Sequence, residues 1–213
     1  MNFGQEAEER FRLGVLLSGG GRTFQNLYEV CQSGKLPAAI AVVVCSKPDA
    51  FGLERARRVG VPTVIADRRR LDDATFHATV TAALKTAGVD LVCMAGFTAL
   101  WRIPPEFEGR VLNIHPALLP RYGGKGFYGD RVHHAILEAG ESQSGCTVHF
   151  CDNQYDHGPI LLQRTVPVLP GDTVESLAHR VFEQELIAYP EAIRQYLESR
   201  RAGGDEKTAA CPP

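Results

Sequence analysis

The segment that most restricts what this chain can fold into is Ala39 to Cys45, a nearly unbroken apolar run rich in valine (AIAVVVC). Without a polar alternation it cannot leave one face in water, so it has to be a strand covered on both faces, as in a parallel sheet flanked by helices. The neighbouring pattern agrees. Phe11 to Leu17 is a short apolar strand that ends in Ser18-Gly19-Gly20-Gly21, and Thr23 to Cys31 then places Phe24, Leu27, Tyr28 and Cys31 at helical spacing. Ala50 to Val59 reads as a crossover helix, Val61 to Ala66 as a third strand, Asp73 to Ala87 as a helix opened by acidic residues, and Asp90 to Ala95 as a fourth strand. This alternation predicts an α/β fold, an open and mostly parallel twisted sheet with helices on both faces. Ligands of such sheets bind in the crevice beyond the carboxyl ends of the strands.

After Gly96 the pattern changes. Arg110 to Ile114 is a short strand, Pro116 to Gly129 a glycine-containing loop too long to be a mere connector, and Val132 to Ala139 a helix. Thr147 to Cys151 and Ile160 to Val168 are strands on either side of the polar, turn-like Asp152 to Gly158, which suggests an antiparallel extension of the sheet near the C-terminus. Thr173 to Glu198 supplies a long closing helix with Pro190 as a break or kink. A chain of 213 residues, 44% of them hydrophobic, suits one domain, here 11–197, with flexible termini at 1–10 and 201–213.

Several classes of function are disfavoured. A net charge of -2 provides no field to hold a polyanion, and the run Arg68-Arg69-Arg70, followed by Asp72-Asp73, reads as a solvated turn, so no nucleic-acid partner is expected. No stretch reaches the roughly 20 apolar residues of a membrane-spanning helix, and the charged start is no signal peptide, so a cytoplasmic protein without a membrane partner is expected. The six cysteines lack a CxxC arrangement and read as reduced, mostly buried thiols. His77, His133, His134, His157 and His179 show no zinc spacing; they read as surface histidines, and no metal is expected.

Two local features carry chemistry. In Ser18-Gly19-Gly20-Gly21-Arg22-Thr23, glycines let backbone N–H groups approach an anion, and the following helix presents its positive end, which suits a phosphate. A tight turn that merely needs positive φ is the alternative. The third glycine of a dinucleotide fingerprint is missing, and there is no GxxxxGK[ST]. Asn113-Ile114-His115-Pro116 ends a strand, so Asn113 and His115 share a face, where an amide and an imidazole can hydrogen-bond a carbonyl oxygen that gains charge under attack. A loop-capping histidine and a turn asparagine would look the same. Asp156 sits in a turn where acidic residues are common; beside His115 it would favour the imidazolium and raise its pKa. His149 either contacts the same region or is a satisfied core histidine.

Taken in order, LLSGGGRTFQNL, MAGF, LNIHPALLP, GCTVHFCD and YDHGPILLQ resemble the glycinamide ribonucleotide formyltransferases of the folate-dependent formyltransferase group, over roughly residues 11 to 197. The resemblance implies a Rossmann-like formyltransferase fold and catalytic roles for Asn113, His115 and Asp156. It implies transfer of a formyl group from 10-formyltetrahydrofolate, a co-substrate, to the amine of 5'-phosphoribosylglycinamide in purine biosynthesis, with cationic His115 and Asn113 stabilising the oxyanion. It further implies phosphate binding at Gly19, Gly20, Gly21, Arg22 and Thr23, and substrate contact at Glu185. Folate is expected against Thr98, Ala99, Leu100 and Trp101, and at the turn containing Asp152. The implied partners are small molecules, with the chain a monomer or homodimer. The resemblance has three departures: Thr98 to Trp101 stands where many relatives read MRIL, the loop Tyr122 to Gly129 differs from the commoner PGLHTH form though some relatives carry GGKGMYG, and Phe182 stands where some relatives have a glutamine. Methionyl-tRNA formyltransferase, formyltetrahydrofolate hydrolase and sugar-amine formyltransferases are the rival readings within the group, and a phosphate-binding module without activity is the rival outside it.

Overall fold

The computed structural model describes residues 10–202. A single sheet of seven strands runs through it in the order β3-β2-β1-β4-β5-β6-β7. Its strands are β1 (Phe11–Leu17), β2 (Ala38–Cys45), β3 (Thr63–Ile65), β4 (Leu91–Met94), β5 (Val111–His115), β6 (Gln143–Phe150) and β7 (Ile160–Pro167). The helices are α1 (Arg22–Gln32), α2 (Phe51–Arg58), α3 (Asp73–Thr86), α4 (Asp130–Glu138) and α5 (Val174–Ala202), with one short 3-10 turn at Pro105–Phe107. β1 to β5 are parallel and β6 and β7 antiparallel, as the apolar runs and the polar turn between the last two strands predict.

Side-chain alternation divides the core in two. Leu13, Val15 and Leu17 of β1 enter one buried cluster with Phe24, Leu27, Leu53, Val132 and the buried stripe of α5. Leu16, from the opposite face of the same strand, enters a second cluster with Phe76, Val80 and Leu84 of α3, Trp101 and Phe107. Burial on both faces is the reason that the central strands carry no polar alternation.

Some boundaries differ from the sequence expectation for physical reasons. β6 begins at Gln143, four residues ahead of the expected Thr147, through a polar and glycine-containing stretch. Gly145 is required there, because a Cβ at this position would lie 2.0 Å from the Arg164 carbonyl oxygen of β7. Pro190 does not break α5, which runs continuously through Val174–Ala202. A proline removes the N–H that would bond the carbonyl four residues back. That carbonyl, of Leu186, instead accepts a 2.9 Å hydrogen bond from Asn26 Nδ2 of α1. Arg201 and Ala202, expected in a flexible terminus, are the last residues of this helix; the remainder of the expected flexible termini, 1–9 and 203–213, lies outside the described residues. Arg68 to Arg70 form an exposed turn in which Arg68 pairs with Asp73, as expected.

The chain passes from β1 through β2 to β3 on one side and then crosses to β4 and β5 on the other, so the switch point lies between β1 and β4. There the Ser18 N–H donates to the Gly96 carbonyl at 3.0 Å, tying together the two loops that leave the strands. Ser18 Oγ also accepts from the Thr98 N–H at 3.0 Å and lies 2.6 Å from Ser46 Oγ, which fastens the ends of β1, β2 and β4 into one rim. From behind, the buried Tyr189 hydroxyl of α5 lies 3.0 Å from the Met94 oxygen and 2.9 Å from the Leu112 oxygen, which locks α5 to β4 and β5.

Candidate active site

At this rim a cleft of about 620 Å³ is lined by Gly19 to Thr23, Ala95 to Thr98, Asn113 to Pro116, Gly124 to Asp130, His133, Tyr155, Asp156, Ala178, Phe182 and Glu185. Both features that the sequence singles out therefore face one space: the glycine loop at one end and the Asn113/His115 pair with Asp156 at the other.

Gly21 caps α1 in the left-handed region at φ 73°, with no side chain satisfying the first N–H groups of the helix. A Cβ at Gly21 would come within 2.6 Å of Gly52 Cα, so both its conformation and its surroundings demand glycine. Gly19 and Gly20 have open space where a Cβ would be. The backbone of this end is thus free to meet an anion. Arg22 lies beside it with its guanidinium carbon 4.1 Å from the centre of the Phe182 ring. Phe182 is thereby a platform for the one cationic side chain of the loop. Below them, half-buried Glu185 has its pKa pushed up to about 8 by burial, only partly opposed by Arg22. It is a neutral acid over much of the physiological range.

At the chemical end the pairing of β5 with β6 sets Asn113 opposite His149 and His115 opposite Thr147. The His149 Nδ1 lies 2.9 Å from the Phe150 carbonyl oxygen. A carbonyl only accepts, so Nδ1 carries the hydrogen and Nε2 is left as an acceptor. The Asn113 amide nitrogen lies 3.1 Å from that Nε2 and 3.3 Å from Asp156 Oδ1. Both partners are acceptors, which fixes the orientation of the amide and engages both of its hydrogens. His149, left undecided by the sequence, is therefore part of the constellation; its only signal was an alternating strand, and the contact depends on a register that no local pattern reveals.

His115 is buried at 3% exposure. Its Nε2 lies 2.8 Å from the Tyr122 carbonyl oxygen, and its Nδ1 lies 3.5 Å from Asp156 Oδ2. Asp156 Oδ2 also accepts the Gly124 N–H at 2.9 Å. Asp156 acts to raise the pKa of His115, as the sequence leads one to expect, but its effect does not prevail. Burial pushes the imidazole below its ordinary 6.5, and Asp156 and the Tyr122 carbonyl oppose this only in part. For Asp156, burial alone would raise the carboxyl, but the polar groups packed on it, the donated Gly124 N–H among them, hold it below the usual range. It is an ionised carboxylate.

The other expected positions divide. Thr98 lines the cleft, whereas Ala99, Leu100, Trp101 and Asp152 are not among its lining residues. Trp101 is 1% exposed in the second core cluster, and its indole N–H donates to Thr81 Oγ1 at 3.2 Å, so its side chain is committed to the core. Asp152 accepts the Gln154 N–H at 2.7 Å and lies 2.7 Å from His157 Nδ1, shaping the turn that carries Asp156. His133 corrects another expectation. The pair His133-His134 read as surface residues, but only His134 is exposed, beside Glu138, while His133 is 4% exposed and lines the cleft. Its Nδ1 has no hydrogen-bond partner, and burial lowers its pKa. The remaining expected surface histidines divide the same way, with His157 and His179 exposed and His77 half-buried, its Nδ1 accepting the Arg102 N–H at 3.2 Å.

The fold is thus an open α/β sheet with a glycine loop at its switch point and an Asn-His-His-Asp cluster in the same cleft. The chain belongs to the Formyl transferase family, whose model matches residues 11–193. It is 41% identical over 197 residues to the chloroplastic phosphoribosylglycinamide formyltransferase of Arabidopsis thaliana, covering 90% of this chain and 67% of that one. It is 36% identical over 192 residues to the phosphoribosylglycinamide formyltransferase of Haemophilus influenzae, covering 89% of this chain and 88% of that one. Other curated relatives are longer chains of which this chain spans less than two thirds. Among solved structures, glycinamide ribonucleotide transformylase 1 of Symbiobacterium toebii superposes with a TM-score of 0.83 at 43% identity, covering 91% of this chain and 90% of that one. Among the described residues no helix is long and apolar enough to cross a membrane.

Proposed function

We propose that this chain is a phosphoribosylglycinamide formyltransferase, moving a formyl group from 10-formyltetrahydrofolate to the primary amine of 5'-phosphoribosylglycinamide in purine biosynthesis. The observation that carries this reading is the meeting, in one cleft, of the α1 anion cradle with Asn113, His115, His149 and Asp156. The ribose phosphate takes the N–H groups of Gly19 to Thr23 and the guanidinium of Arg22. The folate takes the backbone of Thr98 to Leu100 and the turn that ends in Asp156. Glu185, placed in the same cleft, receives the amine-bearing arm of the acceptor.

In the chemical step the amine nitrogen attacks the formyl carbon, and the carbonyl electron pair moves onto oxygen. Neutral His115 takes the proton released by the nitrogen at Nδ1, because its Nε2 hydrogen is held by the Tyr122 carbonyl. The resulting imidazolium lies beside ionised Asp156, and together with one Asn113 N–H, released from its long 3.3 Å bond to Asp156, it stabilises the oxyanion. When the carbon–N10 bond breaks, its electron pair goes to N10, which takes the proton back from His115. The site needs no metal in this scheme. We place the reaction in the cytoplasm, as a small-molecule process of a single domain.

The test is a turnover assay with the 10-formyl donor and three acceptors: phosphoribosylglycinamide, water alone, and an amino sugar nucleotide. Turnover is expected with the first. Turnover confined to either of the other two overturns the assignment of the acceptor, and none with any overturns the assignment as an enzyme.

A further inference from the structure

Among the described residues, two that are not glycine have positive φ, Tyr122 at 57° and Asp156 at 51°. Such conformations persist only where the surroundings over-determine them, and they gather at functional sites. Both residues touch the same imidazole, one at each nitrogen: the Tyr122 carbonyl at Nε2 of His115, Asp156 at Nδ1. What holds Tyr122 in place lies outside the cleft. Its hydroxyl donates to Glu141 Oε1 at 2.8 Å, at the end of α4, and Arg121 pairs with the same carboxylate. On its other side the ring meets Phe127 edge-on, with ring centres 6.4 Å apart.

We propose that Tyr122 is a positioning residue for His115, and that Glu141 with Arg121 is its anchor: tying the Tyr122 ring to α4 keeps its carbonyl against Nε2 of His115. The proposal rests on the reaction assigned above. Because the carbonyl only accepts, it keeps a hydrogen on Nε2 and leaves Nδ1 as the nitrogen that gains and loses a proton. Without that constraint, the ionised Asp156 at Nδ1 would favour the opposite tautomer, with its hydrogen already on Nδ1 and nothing there to accept the proton of the amine. The tether thus sets His115 to receive a proton instead of merely donating to Asp156. The titratable groups around His115 are Asp156 from the β6–β7 turn, His149 from β6 and His133 from α4.

The experiment compares the chain with Tyr122→Phe, which removes the hydroxyl donor, and Glu141→Ala, which removes its acceptor. Nitrogen-15 spectra of labelled histidine, with the His115 signals assigned by their loss in His115→Gln, read the tautomer directly and without substrate. Wild type is expected as the Nε2–H tautomer; both variants gain an Nδ1–H fraction and titrate at a displaced pH. In turnover, kcat falls by about tenfold while KM for both substrates stays within about twofold, and Glu141→Asp recovers part of the loss. Variants that keep the wild-type tautomer and pH profile and merely melt earlier would overturn the proposal, leaving Tyr122 with a structural role alone. Since the tautomer is read without turnover, failure of the assigned reaction leaves this result standing on its own.

Discussion

At the scale of single residues, the site is governed by which hydrogens are already committed. Asn113 has both amide hydrogens bonded within the protein, and His115 has one ring hydrogen held by a carbonyl. His115→Ala and Asp156→Asn are each expected to lower kcat by about two orders of magnitude, the usual scale for lost acid–base or oxyanion help. Steady-state rates check this, and near-normal turnover in both variants would place the chemistry elsewhere. Much of this cluster was legible in the sequence, because Asn113, His115 and Asp156 sit in short motifs with fixed neighbours. His149 and His133 were not. The first joins through cross-strand register, and the second sits one position from an exposed histidine on a helix whose buried stripe shows only once its packing is known.

At the scale of elements, the strands were the most readable part, since burial on both faces writes itself as valine-rich runs. The errors fell where one element satisfies another. Pro190 reads as a break because its missing N–H is a local fact, whereas the donor that compensates, Asn26, is 160 positions away in sequence. Likewise, Gly145 lies ahead of the expected strand start at Thr147 although it belongs to β6, because the close approach of Arg164 is not a local property. Asn26→Ala should leave the Leu186 carbonyl unpaired and destabilise the fold by about 1–3 kcal/mol. In a Pro190→Ala background, where position 190 regains its N–H, the same substitution should cost much less. Urea midpoints for the four chains measure this coupling; equal losses in both backgrounds would show that the Asn26 bond does not replace the missing N–H.

At the scale of the whole molecule, the cleft makes the fold sensitive to pH. Glu185 is raised in the folded chain from an ordinary 4.5 to about 8, so the folded state binds the extra proton between those values. The stability linked to it is complete below pH 4.5 and is lost as pH rises to about 8. Glu185→Gln cannot ionise, so its melting temperature relative to wild type should climb steadily between pH 5 and pH 8; a constant difference across that range would contradict the shift. The buried histidines act oppositely. His115 and His133 lie below their ordinary 6.5, so the stability they contribute is lost as pH falls below it.

The position of the switch point also fixes an order of events while the chain is being made. The glycine loop and α1 emerge with the first strand, but His149 and Asp156 arrive with the β6–β7 ribbon, and Glu185 and the Phe182 platform of Arg22 only with α5. Domains form from the N-terminus during synthesis. A growing chain therefore passes through lengths that hold the glycine loop and lack the rest of the cleft, which is completed only in the last quarter, together with the helix that closes the core.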